Sequence, residues 1–225
     1  MKEIVLDTET TGLSVKDGHR IVEIGCVELE NNIPTNNNFH FYLNPERKVS
    51  EEAVKVHGYT NEFLSDKKKF FEIAELFLNF IGDKKLIIHN AAFDLSHLNN
   101  ELSLLGKKKL NIGRVTDTLE LARDKFPGSQ ISLDALCKKF RIDNSKREKH
   151  SALIDCELLA KVYVNLIGDG DKEPSFNFSK SSKEILKDKD FDNVVYSKKV
   201  IKLNDKDLLL HKDFLKKEIK KNYFN

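Results

Sequence analysis

Residues 4–12 read "IVLDTETTG", and this stretch constrains the fold more than any other. Ile4, Val5 and Leu6 form a short run of apolar residues that suits a covered, pleated strand. Asp7 and Glu9 follow at a spacing of two, which in a strand aims both side chains at one face. Two like charges at the end of a hydrophobic element need a counter-charge. Lys2 and Lys16 are near in sequence, but long solvated side chains are poor partners for a buried pair. The chain must bring the compensation from elsewhere.

The rest of the first 168 residues supplies a mixed α/β pattern. "RIVEIGCVELE" alternates as a second strand, 31–38 reads as a polar turn, and "FHFYL" as a third strand, an antiparallel opening. From "SEEAVKVHG" the pattern turns helical. Ser50 is placed to cap a short helix. "FFEIAELFLNFIG" carries apolar residues at helical spacing and stops on Gly82, with Phe70, Phe71, Phe77 and Phe80 expected in the core. "KLIIHN" reads as a fourth strand, followed by a helix over 92–105, and "RVTDT" as a fifth. Helices are predicted over 119–126, 133–140 and 152–167, the last capped by Ser151. Forty per cent apolar residues and 15 Phe are enough for a substantial core.

Near Gly168 the character changes. "GDGDKEPSFNFSKSSK" collects Gly, Pro, Ser and charge without periodicity, the composition of a flexible linker. Beyond it, "VVYSKKVIKL" can pair as a small strand element, and "NDKDLLLHKDFLKKEIKK" reads as a helix capped by Asn204 or Asp205, with Leu208, Leu215 and Ile219 on one face. The expected domains are 1–168, a linker at 169–193 and a tail at 194–225. The net charge of +2 hides an asymmetry. Residues 171–225 hold 14 lysines and 10 acids, so the preceding residues keep 24 bases against 26 acids. Cys26, Cys137 and Cys156 lie in apolar patterns with no C-x-x-C, which favours free buried thiols in a reducing compartment. "MKEIVLD" runs straight into a strand, and no apolar run reaches membrane-spanning length. A cytoplasmic protein with no membrane contact is expected.

Two further positions repeat the chemistry of the opening stretch. "LIIHNAAFD" ends a buried strand and starts a helix whose first turn presents Asp94. "HSALIDC" puts His150 in the loop before the last helix and Asp155 one turn into it. Four acids and one imidazole therefore collect at strand ends and helix starts. Four carboxylates cannot share a small site while ionised unless cations join them. Oxygen ligands favour Mg²⁺ or Mn²⁺ over zinc. Divalent ions held by carboxylates beside a general base are suited to phosphodiester hydrolysis.

These motifs resemble the DEDD-type 3′→5′ exonucleases that add a histidine, and among them the proofreading epsilon subunits of bacterial DNA polymerase III. The strings that carry the resemblance span residues 3–168: "VLDTETTG", "EIGCVE", "VHG", "HNAAFD", "VTDTLELAR", "FPG", "SLDALC", "IDNSKR" and His150 with Asp155 five residues on. The resemblance implies an RNase H-like α/β fold, a five-stranded mixed sheet flanked by helices, plus a flexible C-terminal tail. It assigns two divalent metal ions, Mg²⁺ or Mn²⁺, to Asp7, Glu9, Asp94 and Asp155, with Asp7 bridging both, and makes His150 the general base that deprotonates the attacking water. Glu52 and His57 match positions that contact the terminal nucleotide. Thr10, Leu13, Asn90 and Phe93 would surround the 3′-terminal sugar and base, which also meet Asp7, Glu9 and Asp155. Phe93 suits stacking on any base, since every base has a π-face.

The activity implied is removal of mononucleotides from single-stranded or frayed DNA 3′ ends. "VIKLNDKDLLLHKDFL", with Asp205 and His211, resembles the segment by which such subunits bind the polymerase alpha subunit. "KEPSFNF" stands where a sliding-clamp motif occurs and keeps paired aromatics, Phe176 and Phe178, but lacks the glutamine. A small third core subunit is a further partner of that family. "DTETTG" also occurs in oligoribonucleases, so a free-standing exoribonuclease is the nearest alternative. An inactive polymerase-binding scaffold is the other. The linker and tail argue against the first and the intact acid set with His150 against the second. His89 is expected to be structural, and the lysine triplets at 67–69 and 107–109 to be solvated faces or a track for phosphates.

Overall fold

The computed structural model of the chain describes residues 1–145, 147, 149–168 and 205–218. It divides into two units, Met1–Glu173 and Pro174–Asn225. In the first unit, five strands form one sheet in the order β3-β2-β1-β4-β5: β1 (Lys2–Thr10), β2 (Ile21–Glu30), β3 (Ile33–Tyr42), β4 (Lys85–Ile88) and β5 (Val115–Asp117). The first three are antiparallel neighbours, whereas β4 and β5 extend the sheet in parallel with β1. Parallel neighbours need crossovers. The helices α1 (Glu51–His57), α2 (Asn61–Ser65) and α3 (Phe70–Ile81) supply the first, and α4 (Ala91–Leu104) the second. After the sheet come α5 (Thr118–Lys125), α6 (Leu133–Lys139) and α7 (Ala152–Ile167).

The unbroken apolar run that opens β1 follows from burial of the sheet on both faces. Ile4, Leu6, Leu86 and Ile88 face α3 and α4, packing on Ile73, Phe77, Leu98 and Leu102. Val5 and Ile87, one residue out of phase, face α5, α6 and α7 through Ala122, Leu136, Leu159 and Val162. Each such fully buried side chain contributes about 1.5–3 kcal/mol. A smaller cluster of Val22, Val49 and Leu64 with Tyr42 and Tyr59 fixes α1 and α2. All three cysteines are free and buried.

The structure corrects several local expectations. The turn after β2 is only Asn31 and Asn32, both with positive φ, and the polar residues that follow belong to edge strand β3. Asparagine tolerates that left-handed backbone, so two residues close the hairpin. Phe71 is 57% exposed. It lies about 100° around the helix from Phe70 and cannot share its sheet-facing side. Lys2, already expected to be a poor partner for Asp7 and Glu9, pairs with Glu28 at 3.1 Å. In the lysine triplets, Lys67 pairs with Asp66, Lys69 with Glu46 and Lys107 with Glu75.

In the second unit the helix α8 (Asp205–Glu218) occupies the span predicted helical and exposes Leu209, Leu210 and Phe214. The expected strand element over "VVYSKKVIKL", and Phe176 and Phe178, lie outside the described residues. Among those described, no helix is long and apolar enough to cross a membrane.

Candidate active site

Three element ends converge beside the C-terminal end of β1. That strand delivers Asp7 and Glu9 towards α7, and the alternation that does so turns Thr8 the other way. Thr8 Oγ1 donates to Asp94 Oδ1 at 2.7 Å, which fixes the acid on the first turn of α4. The start of α4 is itself held by a carboxylate. Asp117, at the end of β5, accepts the N–H groups of Asn90 at 3.0 Å and Ala91 at 2.9 Å, as well as that of Leu119 at the head of α5. Asn90 sits in the left-handed region, with φ 66°, to turn the chain from β4 into α4.

Asp155 is placed by the approach of α7 to β2. Gly25 lies opposite Asp7 in the sheet. A Cβ at position 25 would sit 2.5 Å from the Ala152 carbonyl carbon, so the helix start rests on this glycine. Ser151 does not cap α7 with its side chain. Its hydroxyl donates to Glu23 of β2 at 3.0 Å, and the same carboxylate accepts the Ala152 N–H at 2.9 Å. Tyr59 OH donates to Glu23 at 2.8 Å, and His40 Nε2 lies 2.7 Å from it. A buried carboxylate with four partners thus does the capping, which suits the positive end of the helix dipole.

His150 precedes that helix, and its N–H donates to the Val56 carbonyl of α1 at 3.2 Å. Its Nδ1 lies 3.5 Å from Asp155 Oδ2 and 3.8 Å from Glu9 Oε1. Ligand atoms of Glu9, His150 and Asp155 all fall within 4.8 Å of one another. Arg147 forks onto both oxygens of Asp155 and reaches Asp134 of α6 at 2.6 Å.

Asp7, Glu9, Asp94, His150 and Asp155 line a single cavity of about 1020 Å³. The same cavity takes in Thr10, Leu13, Glu52, His57, Asn90 and Phe93, so every residue assigned to metal, catalysis or the terminal nucleotide lines it, whereas the lysine triplets do not. Leu13 stands at the surface, 85% exposed. His57 is buried: Nδ1 accepts the Tyr59 N–H, Nε2 faces the Thr10 carbonyl at 3.2 Å, and the ring stacks on Tyr59. Both ring nitrogens are thus engaged by the protein itself. His89 bonds Thr118 through Nδ1.

The acids disturb one another. Burial, then Asp155, Glu23 and Asp94, push Glu9 up to about 8. Burial raises Asp94 to about 7 against the opposing bonds from Thr8. Asp7 is held well above the usual carboxylate range by burial, then by Asp94 and Glu9. His150 is lowered by burial and then by Arg147. Thr8, Glu23, Gly25, Asp117 and Arg147 were not foreseen as parts of this site. Glu23 left a trace in the sequence, as a charged residue inside the apolar run "RIVEIGCVE", and so did Asp117, as an acid at a strand end, and Gly25, as a glycine inside a strand.

A model described as exonuclease matches residues 4–163. The chain belongs to the exonuclease family. It is 49% identical to the DNA polymerase III subunit epsilon of Rickettsia conorii, covering 99% of both chains. It is 49% identical to that of Escherichia coli over 174 residues, 74% of this chain and 72% of the relative. Among solved structures, exonuclease X in complex with 5′ overhanging duplex DNA aligns with a TM-score of 0.58 and 26% identity, covering 72% of this chain and 89% of the other. The nuclease domain of 3′hExo, a DEDDh family member bound to rAMP, aligns with a TM-score of 0.65, covering 75% and 92%. At 20% identity this second likeness speaks for the fold alone.

Exonucleases of the DEDD type use divalent metal ions, and the donor set here fits them. It offers carboxylate oxygens and one imidazole, and a cation would relieve the repulsion that, after burial, raises Asp7 and Glu9.

Proposed function

We propose that the chain is the proofreading 3′→5′ exonuclease subunit of a bacterial replicative polymerase, hydrolysing mononucleotides from single-stranded or frayed DNA 3′ ends. The observation that carries the reading is the meeting of four carboxylates and His150 in one cavity, in a chain that matches an epsilon subunit over 99% of its length. Asp7, Glu9, Asp94 and Asp155 would hold two Mg²⁺ or Mn²⁺ ions, with Asp7 shared. Bound there, the ions would offset charge on the phosphate and favour ionisation of water. His150 takes the proton from the attacking water, a role its lowered pKa suits by keeping the ring neutral near pH 7. Leu13 and Phe93 offer apolar surfaces to the terminal base without reading its edges, which leaves selection to the fraying of mismatched ends. Glu52 and Asn90 are the polar groups placed to meet the terminal sugar.

The nuclease domain comprises 1–168, the linker 169–193 and the polymerase-binding tail 194–225. Exposed Leu209, Leu210 and Phe214 on α8 support docking on the alpha subunit. A soluble protein of the bacterial cytoplasm follows from that role.

The test is degradation of a 5′-labelled single-stranded DNA beside the same sequence in RNA, with Mg²⁺, Mn²⁺ or EDTA, and with His150→Ala in parallel. A metal-dependent ladder from the 3′ end, faster on DNA and lost in the variant, is expected. Preference for RNA would make the protein an exoribonuclease. No cleavage of either, with the polymerase added, would leave a scaffold.

A further inference from the structure

Arg147 is the one Lys or Arg among the described residues that line the cavity, where it stands against seven acids. Its own side chain is only 7% exposed. Nε and Nη2 donate to the two oxygens of Asp155 at 2.5 and 2.9 Å, and Nη1 donates to Asp134 Oδ2 at 2.6 Å. Nη2 also lies 2.9 Å from His150 Nδ1. A guanidinium has no acceptor, so at this contact the histidine nitrogen is the one accepting. A neutral imidazole has a single basic lone pair, and here that pair faces Arg147. One side chain therefore covers both oxygens of a metal-ligand carboxylate and the lone pair of the general base.

Such an arrangement is a competition, since the fork occupies one lone pair on each Asp155 oxygen and sets a positive charge beside the atoms a cation would ligate. The half-exposed Asp134 accepts the remaining guanidinium nitrogen and so helps to hold Arg147 on Asp155. We propose that Arg147 is a resident counter-cation of the site, holding Asp155 and His150 until a divalent cation takes Asp155, so that ligand and base are released together. The proposal rests on the metal-site reading above. It adds a gate to it: the nuclease cannot deprotonate water until the cation has displaced the arginine.

The experiment is calorimetric titration of the full-length protein with Mn²⁺, comparing wild type, Arg147→Lys, Arg147→Ala and Asp134→Asn. Lysine keeps the charge but lacks the planar fork. Arg147→Lys is therefore expected to bind Mn²⁺ about tenfold tighter, the worth of one charge-assisted hydrogen bond. Asp134→Asn, which keeps Arg147 and loosens only its anchor, should also bind more tightly. Tighter binding in Arg147→Ala with none in Arg147→Lys would reduce the effect to net charge and overturn the proposal. Weaker binding in Arg147→Lys would overturn it as well, since Arg147 would then be orienting Asp155 for the metal. A wild-type protein that binds no Mn²⁺ would remove the metal site, and the gate with it. If Arg147→Lys fails to fold, Asp134→Asn at a surface position decides alone.

Discussion

Asp7, Glu9 and Asp94 are single residues whose positions are costly without a cation. Burial and the charges of Asp155, Glu23 and Asp94 hold Glu9 near 8, and burial holds Asp94 near 7. Their folded pKa values exceed those of the unfolded chain, so the folded state binds more protons in between, and stability falls as pH rises through that window. A divalent cation cancels the penalty. Thermal melts in EDTA and in excess Mg²⁺ should show a larger gain from Mg²⁺ at pH 8 than at pH 5.5; an equal gain would argue against these acids as the cation seat. Asp7→Asn should keep the fold, because it relieves repulsion, while cleavage drops by at least about 100-fold. His150→Ala should lose about 10²–10⁴-fold in kcat with metal binding retained, as measured by single-turnover kinetics. These residues were legible in the sequence because the chemistry needs particular side chains, and an acid at a strand end is an anomaly that demands a reason.

At the scale of elements, the site depends on how closely α7 approaches β2. Gly25 leaves no room for a side chain beneath Ala152. Gly25→Ala should therefore lift the head of α7, at a cost of about 1–3 kcal/mol in urea unfolding, and disable cleavage by moving Asp155. Wild-type cleavage in a destabilised Gly25→Ala protein would show that the helix position does not govern the chemistry. Glu23 performs the capping that Ser151 was expected to perform, and Asp117 joins the starts of α4 and α5. Sequence periodicity could not reveal either role. A cap from a neighbouring strand has no fixed spacing from the helix it serves, whereas a cap from the preceding residue does.

For the whole molecule, the two units divide the labour of the proposed function. Removal of residues 171–225 should leave the rate of cleavage unchanged and abolish co-elution with the polymerase alpha subunit in gel filtration; retained co-elution would place the docking surface on the nuclease domain. The sequence by itself determined the order of the strands and of the helices apart from α2, the burial of β1 and the candidacy of the four acids and His150, because periodicity and rare charged positions are local signals. It misjudged Phe71 and the turn after β2, where packing and backbone conformation outweighed composition. Resemblance implied that Glu52, His57, Leu13 and Phe93 gather beside those acids; only the tertiary structure decided that Glu23 and Gly25 set α7, and that Arg147 spans Asp155, Asp134 and His150. Those relations join residues far apart in the chain or on different elements, and distance in space is fixed by packing, which no local pattern encodes.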